Sequence, residues 1–129
     1  MDDLLHLART MMVRAHAPYS KFHVGAAVRD EEGGIHGGCN VENAAYPQSQ
    51  CAEATAIGVM VAAGEREIAE VAVVAGGDVL CSPCGGCRQR LREFMPLDGT
   101  VHLLADKGAR AQMTLGELLP RSFGPEYLP

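Results

Sequence analysis

Three cysteines and one glutamate stand at spacings that are typical of metal chemistry. Cys51-Ala52-Glu53 combines a thiol with a carboxylate two positions later, and Pro83-Cys84-Gly85-Gly86-Cys87 supplies two more thiols. A Cys-x-x-Cys pair alone fits redox, zinc-ribbon and ferredoxin-like sites. The third cysteine gives three thiolates, one short of the four that close a tetrahedral structural zinc site. The set therefore indicates an open Cys₃ zinc site with room for a water molecule, and Glu53 is placed to move that water's protons.

Helix N-termini are expected to hold both stretches. Residues 51–63 are apolar nearly all round, as in a buried helix, and Ser82-Pro83 is typical of the cap and first position of a helix over 84–94. Three thiolates on Zn²⁺ leave one net negative charge, which would weaken the metal as a Lewis acid. Each helix N-terminus stabilises an anion by roughly 0.3–1 kcal/mol, and by up to ~2 kcal/mol when partly buried. Two such ends would let a bound water lose its proton near neutral pH.

Two less reactive interpretations of the same residues stay open. A closed structural zinc site would need a fourth ligand, and Cys81, three residues before Cys84, is the obvious candidate. Such a site would make the chain a zinc-stabilised interaction module without catalysis. Glu53 would then be a first-turn glutamate favoured by the helix dipole. Cys39 is expected to pack as a small apolar residue.

The elements that must position these stretches follow from hydrophobic periodicity. The pattern predicts helices over 2–16, 51–63, 84–94 and 114–119, and strands over 22–28, 35–41, 68–75, 100–105 and 111–113. Strand 68–75 is a nearly continuous apolar run, which is typical of a central strand covered on both faces. Small residues at 25–27 leave room for another backbone to approach the first strand closely. On helix 84–94, Arg88, Arg90 and Arg92 are expected to face largely outward. The order of elements predicts one domain over 1–129, with a mixed sheet between helical layers.

A polar segment over residues 40–50 runs from the second strand directly into Cys51. Asn40, Glu42 and Asn43 concentrate hydrogen-bonding groups where the strand ends. An ordinary loop that caps its own backbone would have the same composition. A polar loop that abuts a metal ligand also suits a substrate shelf, and spacing alone leaves both interpretations open.

Composition and charge exclude several classes of protein. Of 129 residues, 47% are hydrophobic and 21% charged, which is an ordinary balance for a globular chain. The net charge of −5 and the scattered basic residues argue against a polynucleotide surface. No apolar stretch approaches the roughly 18 residues of a membrane span, and Met1-Asp2-Asp3 is acidic where a signal peptide would be basic. Five cysteines suit metal binding in a reducing compartment, so a cytoplasmic location is expected.

The ordered motifs together resemble the cytidine deaminases, specifically the short-chain zinc enzymes that act on free nucleosides. The similarity covers nearly the whole chain. It rests on Ala17-Pro18-Tyr19-Ser20, Phe22-His23-Val24-Gly25-Ala26-Ala27, Gly38-Cys39-Asn40-Val41-Glu42-Asn43-Ala44, Cys51-Ala52-Glu53 and Ser82-Pro83-Cys84-Gly85-Gly86-Cys87-Arg88-Gln89. The resemblance implies a three-layer α/β/α sandwich with a central mixed five-stranded sheet. It also implies hydrolytic conversion of cytidine or deoxycytidine to the uridine, with loss of ammonia.

The resemblance further implies one zinc ion per subunit on Cys51, Cys84 and Cys87, with Glu53 as the proton shuttle. Members of the family often carry an arginine directly after this glutamate, which helps to neutralise the thiolates. This chain has Ala54 there. Charge compensation is therefore expected from the helix ends or from another group, for which Arg88 is a candidate.

The resemblance also implies contacts to the substrate and to neighbouring subunits. Ribose hydroxyls would bind Asn40 and Glu42, the pyrimidine would stack on Phe22, and the base would meet backbone groups of Ala52. Small members of the family are homotetramers, so Tyr46 is expected to reach a neighbouring site and Phe123 to complete the next subunit's pocket. A related activity on a modified nucleoside, or on a nucleoside antibiotic such as blasticidin S, is the alternative. The Asn40 and Glu42 pair favours an unmodified ribose.

Overall fold

Five strands and four α-helices make up the computed structural model, which describes residues 2–129. In chain order they are α1 Asp2–Val13, β1 Val24–Asp30, β2 Ile35–Cys39, α2 Ala52–Ala62, β3 Ile68–Ala75, α3 Gly85–Phe94, β4 Thr100–Ala105, β5 Arg110–Thr114 and α4 Leu115–Leu118. The strands form one sheet in the order β2-β1-β3-β4-β5. β1 is antiparallel to both of its neighbours, β3 and β4 are parallel, and β5 is antiparallel to β4. The predicted mixed five-stranded sheet is confirmed.

Helices cover both faces of this sheet. Side chains alternate between the faces along each strand, so apolar residues lie on both faces and each face needs a helical layer. On one face, α1 packs Leu4, Ala8 and Met12 against alternate residues of β1, β3 and β4. On the other face, the remaining alternate residues of β1 and β3 pack against Ile57 and Met60 of α2 and Leu91 of α3. β3 lies in the middle and is buried on both faces, as its apolar run predicts. The result is the expected α/β/α sandwich.

Glycine lets the helices approach the sheet closely at two positions. A Cβ added to Gly25 in β1 would lie 1.9 Å from the carbonyl oxygen of Ala8 and 2.3 Å from the nitrogen of Met12, both in α1. A Cβ added to Gly38 in β2 would lie 2.4 Å from the nitrogen of Ala56 in α2. Both contacts are backbone to Cβ, so neither could be relieved by a side-chain rotation. The prediction that small residues at 25–27 admit another backbone is confirmed at Gly25, and Gly38, which that prediction did not include, does the same on the other face.

Two predicted elements are longer than the observed ones, for the same physical reason. α1 ends at Val13, because His16 donates its N–H to the carbonyl of Asn40 (3.0 Å) and accepts from the N–H of Glu42 (2.8 Å). β2 ends at Cys39, because the side chain of Asn40 turns back onto β1. Hydrogen bonds between segments distant in the chain override the local pattern at both places.

The prediction that the arginines of α3 face outward is wrong for two of them. Arg92 is only 9% exposed, and it binds Ser122 and Glu126 in the C-terminal segment that folds over the helix. Arg88 is half-buried and binds the carbonyl oxygens of Pro83, in the loop before Cys84, and of Leu118, in α4. None of the helices in the described part of the chain combines the length and apolarity that a membrane crossing needs.

Replacing Gly25 with alanine tests the close approach of α1. We expect Gly25→Ala to lower the free energy of unfolding by about 3 kcal/mol, because the new methyl group collides with helix backbone. Gly76→Ala is the matched control, since its Cβ would meet only the carbonyl oxygen of His23 at 3.9 Å. Denaturant titration of both variants measures the difference. A Gly25 variant within about 1 kcal/mol of the parent protein would contradict this packing.

Candidate active site

Three cysteine sulfurs meet where two helices begin. Cys51 is the N-cap of α2, Cys84 is the N-cap of α3, and Cys87 lies in the first turn of α3. Their Sγ atoms all lie within 4.8 Å of one another. Sulfurs that lie this close together can converge on one zinc ion, whose Zn–S bonds are about 2.3 Å long, and thiolates are ligands that zinc prefers. The residues present therefore fit a zinc ion.

The environment of the three thiols is uneven. The backbone N–H of Cys87 lowers the pKa of the Cys84 thiol, as expected at a helix N-terminus. Burial raises the pKa of Cys51, and burial together with the nearby charge of Glu53 raises that of Cys87. Zinc binds the deprotonated form, so loading the site must release protons from these thiols, and metal affinity should rise with pH.

Glu53 lies in the first turn of α2 and is 4% exposed. Burial raises the pKa of its carboxyl group. Its own backbone N–H, a hydrogen bond with Cys87 and, least of the three, the positive charge of Arg90 partly offset that effect. A carboxyl group with a raised pKa holds and releases protons closer to neutral pH than an exposed glutamate does. This environment suits a proton shuttle beside the sulfurs.

A cavity of about 200 Å³ opens beside the sulfur cluster. Its lining includes two cysteines of the cluster, Cys51 and Cys84, together with Phe22, Asn40, Ala52 and Glu53. Val24, Val73, Cys81 and Ser82 complete the wall. The cavity is largely apolar with a few polar groups converging on it, as small-molecule sites generally are.

Asn40 continues the β1–β2 ladder with its side chain. Its Oδ1 accepts from the N–H of Val24 (2.9 Å), and its Nδ2 donates to the carbonyl of Phe22 (2.8 Å). An amide has two donor hydrogens and two acceptor lone pairs. One of each therefore remains for a ligand in the cavity, on a side chain that the sheet holds in place.

Glu42 and Tyr46 lie at a different cavity, of about 340 Å³, together with Tyr19, Ser20 and Ser49. The carboxylate of Glu42 accepts from the N–H groups of Tyr19 (2.9 Å) and Ser20 (3.1 Å) and from the Ser20 hydroxyl. The Ser20 hydroxyl is the main reason that the pKa of Glu42 is lowered. Glu42 is thus an ionised acceptor that does not share the sulfur cavity with Asn40.

Phe123 lines neither of these two cavities. Its ring is 57% exposed and stacks on Tyr127 with centroids 5.5 Å apart. Gln89 of α3 donates to its carbonyl at 2.9 Å, which fixes this part of the C-terminal segment to the helix.

The sequence offered Cys81 as the fourth ligand of an alternative closed site and Arg88 as a candidate for charge compensation, and the structure gives both residues other contacts. Cys81 stays outside the three-sulfur cluster and contributes to the cavity wall. Arg88 donates to the carbonyls of Pro83 and Leu118, both at 2.7 Å, and to the Ser82 hydroxyl at 2.9 Å. It thereby ties the loop before Cys84 to α4, and the cap of α3 is Cys84 rather than Ser82.

Arg90 is the residue that reasoning from the sequence missed. Its Nη1 donates to Cys87 Sγ at 3.6 Å. The available signal was its spacing, because residues three apart lie on neighbouring positions of a helix surface.

Comparisons with known proteins agree with this geometry. Residues 1–102 match the family model described as the cytidine and deoxycytidylate deaminase zinc-binding region. A cytidine deaminase of Sporosarcina psychrophila is 41% identical over 128 residues, which are 99% of this chain and 94% of that protein. One from Halalkalibacterium halodurans is 41% identical over 98% of this chain and 97% of its own length. The crystal structure of cytidine deaminase from Burkholderia pseudomallei superposes with a TM-score of 0.89 at 40% identity, covering 95% of this chain and 98% of that chain.

Metal content distinguishes the three-sulfur site from a closed four-sulfur site. We expect Cys84→Ala to lose bound zinc, because two thiolates remain. Cys81→Ala should retain one zinc per chain, because Cys81 lies outside the cluster. Elemental analysis of each dialysed protein gives the ratio. Loss of zinc from the Cys81 variant would instead support a closed structural site.

Proposed function

Because the chain belongs to the cytidine and deoxycytidylate deaminase family, we propose that it hydrolyses cytidine and 2′-deoxycytidine to uridine and 2′-deoxyuridine with release of ammonia. The observation that carries the proposal is the buried carboxyl group of Glu53 between the three-sulfur cluster and a largely apolar cavity. An open cluster of three protein ligands is the arrangement of a catalytic rather than a structural zinc site.

The residues of the chain divide the work of the reaction. Cys51, Cys84 and Cys87 would hold the zinc ion, which would supply an activated water for attack at C4 of the cytosine ring. Glu53 accepts the proton that this water gives up and delivers a proton to N3 of the ring. Once the C4–O bond has formed, Glu53 takes the proton of the new C4 hydroxyl and passes it to the amine. The C4–N bond then breaks, ammonia leaves, and C4 becomes a carbonyl carbon. The apolar walls limit access of bulk water.

The same cavity supports recognition of the nucleoside. Phe22 lines it with 44% of its surface exposed, which leaves a ring face for stacking on the pyrimidine. Ala52, almost fully buried in the first turn of α2, offers backbone groups to the base. Asn40 has one donor and one acceptor left for a ribose hydroxyl. Glu42 lies at the other cavity, and its ionised carboxylate is the acceptor proposed for a second hydroxyl.

We place this activity in a single domain over residues 1–129, because both core clusters pack on the same sheet. The substrate is a free nucleoside rather than a polynucleotide, since the net charge of −5 would repel a phosphate backbone. Reduced cysteines at a metal site fit the cytoplasm.

A homotetramer with shared active sites is also part of the proposal. The exposed surface of α2 carries Val59, which is 45% exposed, and Gly58, with no charged residue beyond Glu53 on the whole helix. Tyr46 and Phe123 are exposed aromatic side chains, which are enriched in protein interfaces. An apolar helix surface of this kind suits contact with another copy of the chain.

Loss of the Glu53 carboxyl group tests the chemistry directly. We expect Glu53→Ala to stay folded and zinc-loaded while kcat for cytidine falls by roughly 10²–10⁴-fold, because proton transfer is lost. The ultraviolet change on incubation with cytidine, deoxycytidine or blasticidin S measures turnover. No change with any of the three in the parent protein, or full activity in the Glu53 variant, would refute the proposed reaction.

Complementation between a Glu53 variant and a Phe123 variant tests whether Phe123 acts across subunits. Phe123→Ala should raise KM for cytidine, because the pocket of the neighbouring subunit loses its aromatic wall. Co-assembly of Phe123→Ala with Glu53→Ala chains should restore activity with the parent KM in mixed tetramers, where one chain provides Glu53 and the other Phe123. Leu128→Ala, another exposed apolar residue of the tail, serves as the control. Mixed oligomers without recovered activity, or a monomer in light scattering, would contradict shared sites.

A further inference from the structure

Arg90 contacts a zinc ligand through its side chain. It lies three residues after Cys87 on α3, and its Nη1 donates to Cys87 Sγ at 3.6 Å. Cys87 is fully buried, whereas Arg90 is exposed, so the guanidinium reaches back over the helix N-terminus to the sulfur. Arginine is charged at all physiological pH values, so this is a charge-assisted contact to a sulfur that becomes a thiolate when metal binds.

The turn beneath this guanidinium has room for it. A Cβ added to Gly86 would lie 3.3 Å from Arg90 Nη1 and 3.9 Å from Cys84 Sγ. The first of these distances is tighter than ordinary van der Waals contact, so a larger residue at 86 would push the guanidinium away. Gly86 and Arg90 are four residues apart and therefore neighbours on the helix surface. The absence of a side chain at Gly86 therefore leaves space for the guanidinium of Arg90.

The other two arginines of α3 bind oxygen atoms away from the sulfur cluster. α2 carries no basic residue, and position 54 is alanine. On α3, within the described residues, Arg88 binds the oxygens of Ser82, Pro83 and Leu118, and Arg92 binds Ser122 and Glu126. Among the three arginines of that helix, Arg90 is the one that contacts sulfur.

We propose that Arg90 is a positioning residue for the metal centre, which acts through Cys87 and supplies the positive charge that position 54 lacks. The inference rests on the proposed zinc chemistry of the three cysteines. A cation at the Cys87 sulfur withdraws electron density from that ligand, so the sulfur donates less to the metal. The metal then keeps more of its Lewis acidity in spite of three anionic ligands. Outer-shell partners of this kind typically contribute 10–100-fold in affinity or activity.

Cobalt substitution gives a readout that does not depend on turnover. The sulfur-to-cobalt charge-transfer band of the Co²⁺-loaded protein reports the electron density on the thiolates. In Arg90→Ala we expect this band to move to lower energy, because the sulfur becomes more electron-rich. In the zinc-loaded form kcat should fall by about 10–100-fold with KM little changed.

Rescue and control variants separate charge from structure. Arg90→Lys keeps the cation and should stay close to the parent protein in both measurements. Ala54→Arg in the Arg90→Ala background returns a cation from α2 and should restore both the band position and kcat. Arg110→Ala removes an exposed arginine from the edge strand β5 and should change neither.

The outcomes distinguish this inference from the proposed function. An active, metal-loaded parent protein whose Arg90→Ala variant keeps the parent band and kcat would overturn the role of Arg90 alone. A fall in kcat without a band shift, or without rescue by Ala54→Arg, would likewise overturn it, because a structural defect would explain the loss. A parent protein that binds neither Co²⁺ nor Zn²⁺ at the cysteines would overturn both proposals.

Discussion

Mutual repulsion among three thiolates is the constraint on which the arrangement of this protein depends. Sulfurs held within 4.8 Å of one another can be anionic together only if positive charge is close at hand. The fold supplies it from several sources: the metal, the N-termini of α2 and α3, and the guanidinium of Arg90. Both N-termini must point at one place, so the orientation of two helices follows from the electrostatics of one small cluster.

The sheet makes that convergence possible. α2 can lie close to the first two strands because β2 has Gly38 where the helix backbone passes. On the opposite face, Gly25 admits α1 in the same way, and the central strand is buried between the two layers. Arg88 joins the loop before Cys84 to the end of α4, so even the last helix contributes to where a ligand sulfur sits. The packing of the core therefore determines where the three sulfurs lie.

The sequence predicted the sulfur cluster well, because local backbone geometry carries most of the information. Cys51 and Cys84 are N-caps, and their positions follow from where α2 and α3 begin. Reasoning from periodicity was less successful with the long side chains of α3. Helical spacing gives the direction in which a Cβ atom leaves the helix, but an arginine is long enough to return its guanidinium to the surface it left. Arg88, Arg90 and Arg92 therefore each contact something that the pattern did not predict.

The ends of α1 and β2 were also misplaced, because hydrogen bonds between residues 16 and 40–42 depend on the folded chain. The roles of Glu42, Tyr46 and Phe123 stay predictions: Glu42 and Tyr46 share one cavity, and Phe123 faces outward from its own chain.

The hydrogen bonds of the Asn40 side chain limit how this protein can change over evolutionary time. Its amide serves as a surrogate peptide group, accepting from Val24 and donating to Phe22 at the end of a sheet ladder. Aspartate would face the Phe22 carbonyl with a carboxylate, and shorter side chains would leave the Val24 N–H and the Phe22 carbonyl without this partner. A substitution that removed the proposed contact of Asn40 with the sugar would therefore also cost stability. Variation in substrate range is more accessible at wall positions such as Cys81, whose side chain borders the cavity and bears no strand pairing. Selection on folding alone would keep Asn40 unchanged, even in a descendant that no longer encountered a nucleoside.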